Sequence, residues 1–159
     1  MRRLIFLMPA AVLAAGCSFF QSDPYAGEYT TTEPQERDLV GAWEGVGEPR
    51  GFLETLGYDE AVVPHVELNA DGTFTMADIP DVWRRTPAEA TRTLESGAGK
   101  WSIAKQEEWY CLRMDFSTIN GQPQNYSIYF MLLGHAEPYL IHIMIGDPDS
   151  SDCIEFERQ

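Results

Sequence analysis

Along most of residues 39–157, apolar and polar side chains alternate with a period of two in short runs divided by turn residues. Strands put successive side chains on opposite faces, so this pattern commits the chain to sheets with one dry and one wet side. The runs are Leu39 to Val46, His65 to Leu68, Thr73 to Met76, Lys100 to Ala104, Trp109 to Phe116, Gln124 to Leu133, Tyr139 to Ile145 and Cys153 to Glu157. Val66, Leu68, Phe74, Met76, Trp101, Ile103, Leu112, Met114, Phe116, Ile154 and Phe156 share the dry parity. His65, Glu67, Thr73, Thr75, Ser102, Arg113, Asp115 and Glu155 take the wet one. Asn69-Ala70-Asp71-Gly72 joins the second and third runs with a glycine placed for a left-handed turn. The spacings are short. The expected fold is therefore mainly β, an antiparallel up-and-down meander of about eight strands, barrel-like, with one short helix. That helix is expected over Thr86 to Ser96, because Thr86-Pro87-Ala88-Glu89 reads as a capping box with proline at the first helical position and Gly97 as the stop. A second helical turn over Gly51 to Gly57 would bury Phe52, Leu53 and Leu56.

One stretch breaks the alternation. Ile128 to Leu133, and Tyr139 to Ile145 apart from His142, are apolar on both faces, so something must cover the outer side. The candidates are the Thr86 to Ser96 helix, the Phe52 segment, or another protein.

The N-terminus follows different rules. Arg2 and Arg3 precede an apolar run from Leu4 to Ala15, 12 residues long and too short for the roughly 20 that span a bilayer. Leu13-Ala14-Ala15-Gly16-Cys17 then resembles a bacterial lipobox. That resemblance implies removal of residues 1–16, lipid on Cys17, and a location outside the cytoplasmic membrane, anchored on its outer side or to the outer membrane. Residues 17–37, rich in Ser, Thr, Pro, Gly, Glu and Gln, read as a disordered tether, and residues 38–159 as a single β domain.

Charge narrows the partners. The chain holds 11 basic and 25 acidic residues, a net −14, and loss of Arg2 and Arg3 with the leader takes this to −16. Nucleic acid, whose phosphates need Lys or Arg, is excluded as a partner. Cys111 and Cys153, a leftover pair in an oxidising compartment, are expected to form a disulfide. Their parity places both on the wet face, and in a strict up-and-down order their strands lie three apart, beyond the Cα separation of about 4.4 to 6.8 Å that a bridge needs. Either the bridge or the simple strand order must give way.

Two resemblances bear on the fold. Gly41-Ala42-Trp43 resembles the G-x-W element that opens lipocalin-like barrels, in which the tryptophan plugs the closed end and a late arginine lies across its indole; Arg158 stands in the corresponding place. The order Asn69-Ala70-Asp71-Gly72-Thr73-Phe74, Gly97-Ala98-Gly99-Lys100-Trp101-Ser102-Ile103, Ile145-Gly146-Asp147-Pro148-Asp149-Ser150 and Phe156-Glu157-Arg158 is similar to small uncharacterised lipoproteins of actinobacteria. It implies the compartment and the β fold, and no activity.

Chemistry-bearing motifs are sparse. Asp147, Asp149 and Asp152 gather three carboxylates in one loop, but without the EF-hand glycine and terminal glutamate the segment reads as turn chemistry. His65, His135 and His142 fall on separate elements, so no metal site is expected and His142 reads as a hydrogen-bonded core histidine. Trp83-Arg84-Arg85 is the one basic spot, read as a solvated loop with the indole tucked beneath. No nucleophile elbow or H-E-x-x-H motif is present, so no catalytic residue and no cofactor are expected. The expected role is a non-catalytic envelope lipoprotein that meets another protein. The alternative is a lipocalin-like module holding a small apolar ligand among Trp43, Phe74, Trp101, Phe116, Phe130 and Arg158.

Overall fold

The computed structural model describes residues 25, 27–46, 53–59, 61–146 and 152–159. Eight antiparallel strands close into a barrel in the order β1-β2-β3-β4-β5-β6-β7-β8, a lipocalin-like up-and-down arrangement in which each strand pairs with its sequence neighbours and β8 returns to β1. The strands are β1 (Gly41–Val46), β2 (His65–Leu68), β3 (Thr73–Pro80), β4 (Leu94–Gln106), β5 (Trp109–Ile119), β6 (Gln122–Leu133), β7 (Leu140–Met144) and β8 (Cys153–Arg158). The residues assigned to the dry parity from sequence are buried, save Ile103, which packs half-buried against the core, and Leu68, Leu112, Met114, Phe130, Ile141 and Phe156 are fully enclosed. Closure removes the free sheet edges that would otherwise pair with other chains.

Three local expectations change. The helix over Thr86 to Ser96 does not form. Thr86 and Ala90 close one turn, after which the Thr91 amide is taken by Asp81 Oδ2 at 2.8 Å and Arg92 turns left-handed at φ 60°. Both events remove the donors and dihedrals that a helix needs, and β4 begins at Leu94 instead. Gly97, expected as a helix stop, lies inside β4, where a Cβ would approach the Phe116 ring to 2.6 Å; at Gly99 a Cβ would come within 2.0 Å of the Asp115 carbonyl oxygen. These two glycines let β5 press against β4 at the register shift between Ala98 and Gly99. A four-residue helix forms instead before the first strand, α1 (Glu36–Leu39), and leads directly into β1. A helical turn over 53–55 matches the described part of the expected Gly51 to Gly57 turn, with Leu53 buried; Phe52 lies outside the described residues.

The tether expectation ends earlier than residue 37. Tyr29 and Thr30 are buried, 2% and 0% exposed. Their backbone wedges between the ends of β5 and β6, with the Thr30 amide donating to Leu132, the Tyr110 amide donating to Thr30, and the Gly134 amide donating to Glu28. Polar composition suggested a solvated chain, but two aromatic side chains and the unpaired ladder groups at the splayed strand ends suffice to dock it.

Candidate functional site

The interior and its two ends are where a barrel of this class would hold a ligand, since eight strands leave room either for side chains or for one small molecule. Phe74, Phe116 and Phe130 do converge inside. Phe74 and Phe116 meet edge-on with centroids 4.9 Å apart, and Trp83 sits against both Phe116, at 5.1 Å, and Phe130, at 6.1 Å. Trp83 comes from a 3-10 turn (Asp81–Trp83) that follows β3, and it enters the mouth of the barrel as a stopper, 3% exposed. The aromatic set is thus a packed core closed by a residue outside the expected ligand set.

A buried polar network holds the stopper. Trp83 Nε1 donates to Glu95 Oε2 at 2.8 Å, and the same carboxylate accepts Arg84 Nε at 2.6 Å, with Arg84 Nη2 on its other oxygen. Arg84 and Arg85 are therefore committed to buried carboxylates, Arg85 pairing with Asp81 at 3.5 Å, and the basic spot read as solvated is part of the fold. Asp81 is wholly enclosed, and its two oxygens accept the Tyr58 hydroxyl at 2.5 Å, the Thr91 amide and hydroxyl, each at 2.8 Å, and the Thr93 amide at 3.3 Å. Burial alone would raise its pKa, but these donors outweigh burial and hold the carboxyl below the usual range.

The opposite end is closed by Trp43, 1% exposed, whose Nε1 donates to the Leu39 carbonyl at 2.9 Å across the short α1. Arg158 is its register partner in the β1–β8 pair, but the stacking that the G-x-W resemblance implies is not formed. The guanidinium is not stacked on the indole: Nη1 donates to the Asp38 carbonyl at 3.1 Å, capping the end of α1, and the cation–π contact found among the described residues is Lys105 over Tyr110. Trp101, 7% exposed, donates from Nε1 to the Asn69 carbonyl at 3.0 Å beneath the β2–β3 turn. Outside Trp43 lies a cleft of about 470 Å³ between Asp38, Glu137, Tyr139, Arg158 and Gln159. It is open and mixed in polarity, whereas apolar ligands select enclosed, mostly apolar walls.

The outer flank of β5 to β8 resolves the double-sided apolar stretch. Among the described residues the segment that contains Tyr25 and Tyr29 covers part of it, while Tyr129 on β6 stays 43% exposed and Phe52 lies outside the described residues. The Tyr25 ring lies 4.4 Å from the His142 ring, and the Tyr29 ring lies 4.9 Å from Trp109, with its hydroxyl on Met144 Sδ at 3.8 Å. Under this cover Cys111 and Cys153 are both free thiols, which overturns the expected disulfide. The strand order is the simple one, and Cys111 is separated from β8 by β6 and β7, so the bridge gives way. Burial pushes both thiols up to about 11. Their parity is as expected, but the face is dry where the N-terminal segment lies on it.

Register also gathers residues that sequence scattered. His142 is the partner of Glu155 across β7–β8, and Met144 is the partner of Cys153. His142 Nδ1 and Glu155 Oε1 stand 3.4 Å apart, and Cys153 Sγ lies 3.9 Å from the same oxygen. A donor set spread over 13 positions has no local motif, and only the pairing register could have revealed it.

Cys17 and the acidic loop residues Asp147 and Asp149 lie outside the described residues. No family model, no curated protein and no solved structure matches the chain.

Proposed function

We propose that this protein is a non-catalytic, lipid-anchored envelope lipoprotein that works by surface contact with another protein, its barrel serving as a filled scaffold. The supporting observation is the stopper: Trp83 occupies the space between Phe116 and Phe130 that an apolar ligand would need. The lipobox residues Leu13 to Cys17 support the anchor and the location beyond the cytoplasmic membrane. Eight positions separate Cys17 from Tyr25, so the chain between lipid and barrel reaches at most about 28 Å. The flank of β5 to β8 that Tyr25 and Tyr29 cover is therefore held toward the membrane. Glu44 and Glu157 stand opposite each other on the outer face of β1 and β8, and Glu67 lies on the outer face of β2. A basic protein surface complements that face, and anionic lipid does not.

Titration of the purified protein with an apolar fluorescent probe, read through tryptophan quenching, tests the filled scaffold. No saturable binding is expected. One probe bound per chain with quenching of buried tryptophans would replace this reading with the small-ligand carrier. Exchange of Cys17 for Ser should shift the protein out of the membrane fraction, and its persistence there would refute the anchor.

A further inference from the structure

The cluster on the covered flank goes beyond the proposed role. His142, Cys153 and Glu155 offer one nitrogen, one sulfur and one oxygen, and these ligand atoms all lie within 4.8 Å of one another. A tetrahedral zinc ion with bonds of about 2.0 to 2.3 Å requires its ligand atoms to stand roughly 3.3 to 3.7 Å apart. The observed separations of 3.4 Å from His142 Nδ1 to Glu155 Oε1, and 3.9 Å from Cys153 Sγ to the same oxygen, already approach those edges. The three residues project from paired strands, so the ladder fixes their spacing more tightly than a loop would. The His142 side chain is fully enclosed while that of Glu155 is 21% exposed, which leaves a path for an ion from solvent and a dry inner wall once it arrives.

We propose that His142 Nδ1, Cys153 Sγ and Glu155 Oε1 form a three-ligand site for a borderline divalent metal ion, Zn²⁺ in the first instance. Mixed nitrogen, sulfur and oxygen donors suit zinc better than magnesium or calcium, which take oxygen alone. The thioether that would favour monovalent copper, Met144, instead accepts the Tyr29 hydroxyl. On binding, the Cys153 S–H proton leaves to solvent and the thiolate forms the metal–sulfur bond; no electron transfer is involved. The Tyr25 hydroxyl stands 3.6 Å from Cys153 Sγ, beside the position left for water as fourth ligand.

The test uses the full chain purified in detergent and titrated with Zn²⁺ and, separately, with Co²⁺. One ion per chain is expected, and Co²⁺ should produce a thiolate-to-cobalt charge-transfer band. Cys153→Ala and His142→Gln should weaken Zn²⁺ binding by more than the roughly 100-fold that even outer-shell substitutions cost, while Cys111→Ala and His135→Gln leave it unchanged. Glu155→Gln, at a half-open position, covers the case in which His142→Gln fails to fold: weakened binding with the charge-transfer band retained supports the site. Absence of a bound ion in the unaltered protein overturns the proposal. Binding that persists in Cys153→Ala shows an adventitious ion on the acidic surface, and a preference for Cu⁺ over Zn²⁺ overturns the choice of ion.

Discussion

Both ends of this barrel are closed by a tryptophan, yet they are held by different forces. At one end Trp43 bonds a main-chain carbonyl four residues away, in a unit made of α1 and the start of β1. At the other, Trp83 bonds the side chain of Glu95, which also holds Arg84, while Asp81 pins the returning chain at Thr91 and Thr93. The first closure is local and neutral; the second is assembled from separate elements and depends on buried charge. A neutral local plug tolerates changes of pH and salt, whereas a charged network is strong only while every member is in place, because a buried carboxylate without its donors carries the full cost of desolvation.

Trp83→Ala and Trp43→Ala should each destabilise the protein by about 3 to 5 kcal/mol, measured by urea unfolding. Only Trp83→Ala should leave a dry space among Phe74, Phe116 and Phe130 that binds a small apolar molecule, as engineered apolar cavities do. Equal binding by both variants would show that the two stoppers seal the same space.

Next in size is Glu95→Ala, which strands the Trp83 N–H and the Arg84 guanidinium. A loss of about 3 kcal/mol or more is expected, as for a buried pair deprived of one partner; a loss below 1 kcal/mol would make the charged closure no different from the neutral one.

Acid distinguishes the ends without mutation. The Asp81 carboxyl sits below its ordinary value when folded, so its contribution is present above the unfolded carboxylate pKa of about 3.9 and is lost as pH falls through the lower folded value. Stability should therefore fall below about pH 4, and the drop should shrink in Asp81→Asn. An unchanged acid profile in that variant would remove Asp81 from the account. The smallest effect is expected at the neutral end, where Trp43→Phe keeps most of the packing and leaves the Leu39 carbonyl unpaired, at about 1 to 3 kcal/mol with no new pH dependence.

Much of this division was legible beforehand. Period-two alternation marked the interior faces of β2 to β5 and of β8 before any pairing was known, because a strand has only two faces. The Gly41-Ala42-Trp43 unit was legible because its chemistry is completed within a few residues. Asn120-Gly121 turns the β5–β6 hairpin with φ of 52° and 69°, a signal present in the sequence that lengthens both strands beyond their alternating parts. The helix expected over Thr86 to Ser96 failed for a tertiary reason: its capping residues were sound, but Asp81 competed for the Thr91 amide from ten residues upstream. Composition does not show that Tyr29 and Thr30 dock, since they do so through backbone groups at strand ends that exist only once the barrel has closed.

The sequence alone determined the strand class and the dry face, because each rests on spacing within one element; the Trp43 closure was implied by the G-x-W resemblance. Tertiary structure decided that Trp83 packs against Phe116 and Phe130, that Cys111 and Cys153 stay apart, that Tyr25 and Tyr29 lie on the outer flank, and that His142, Cys153 and Glu155 converge. Those outcomes depend on register and on loops returning from a distance, where contact is set by which strands pair rather than by which residues are neighbours in the chain.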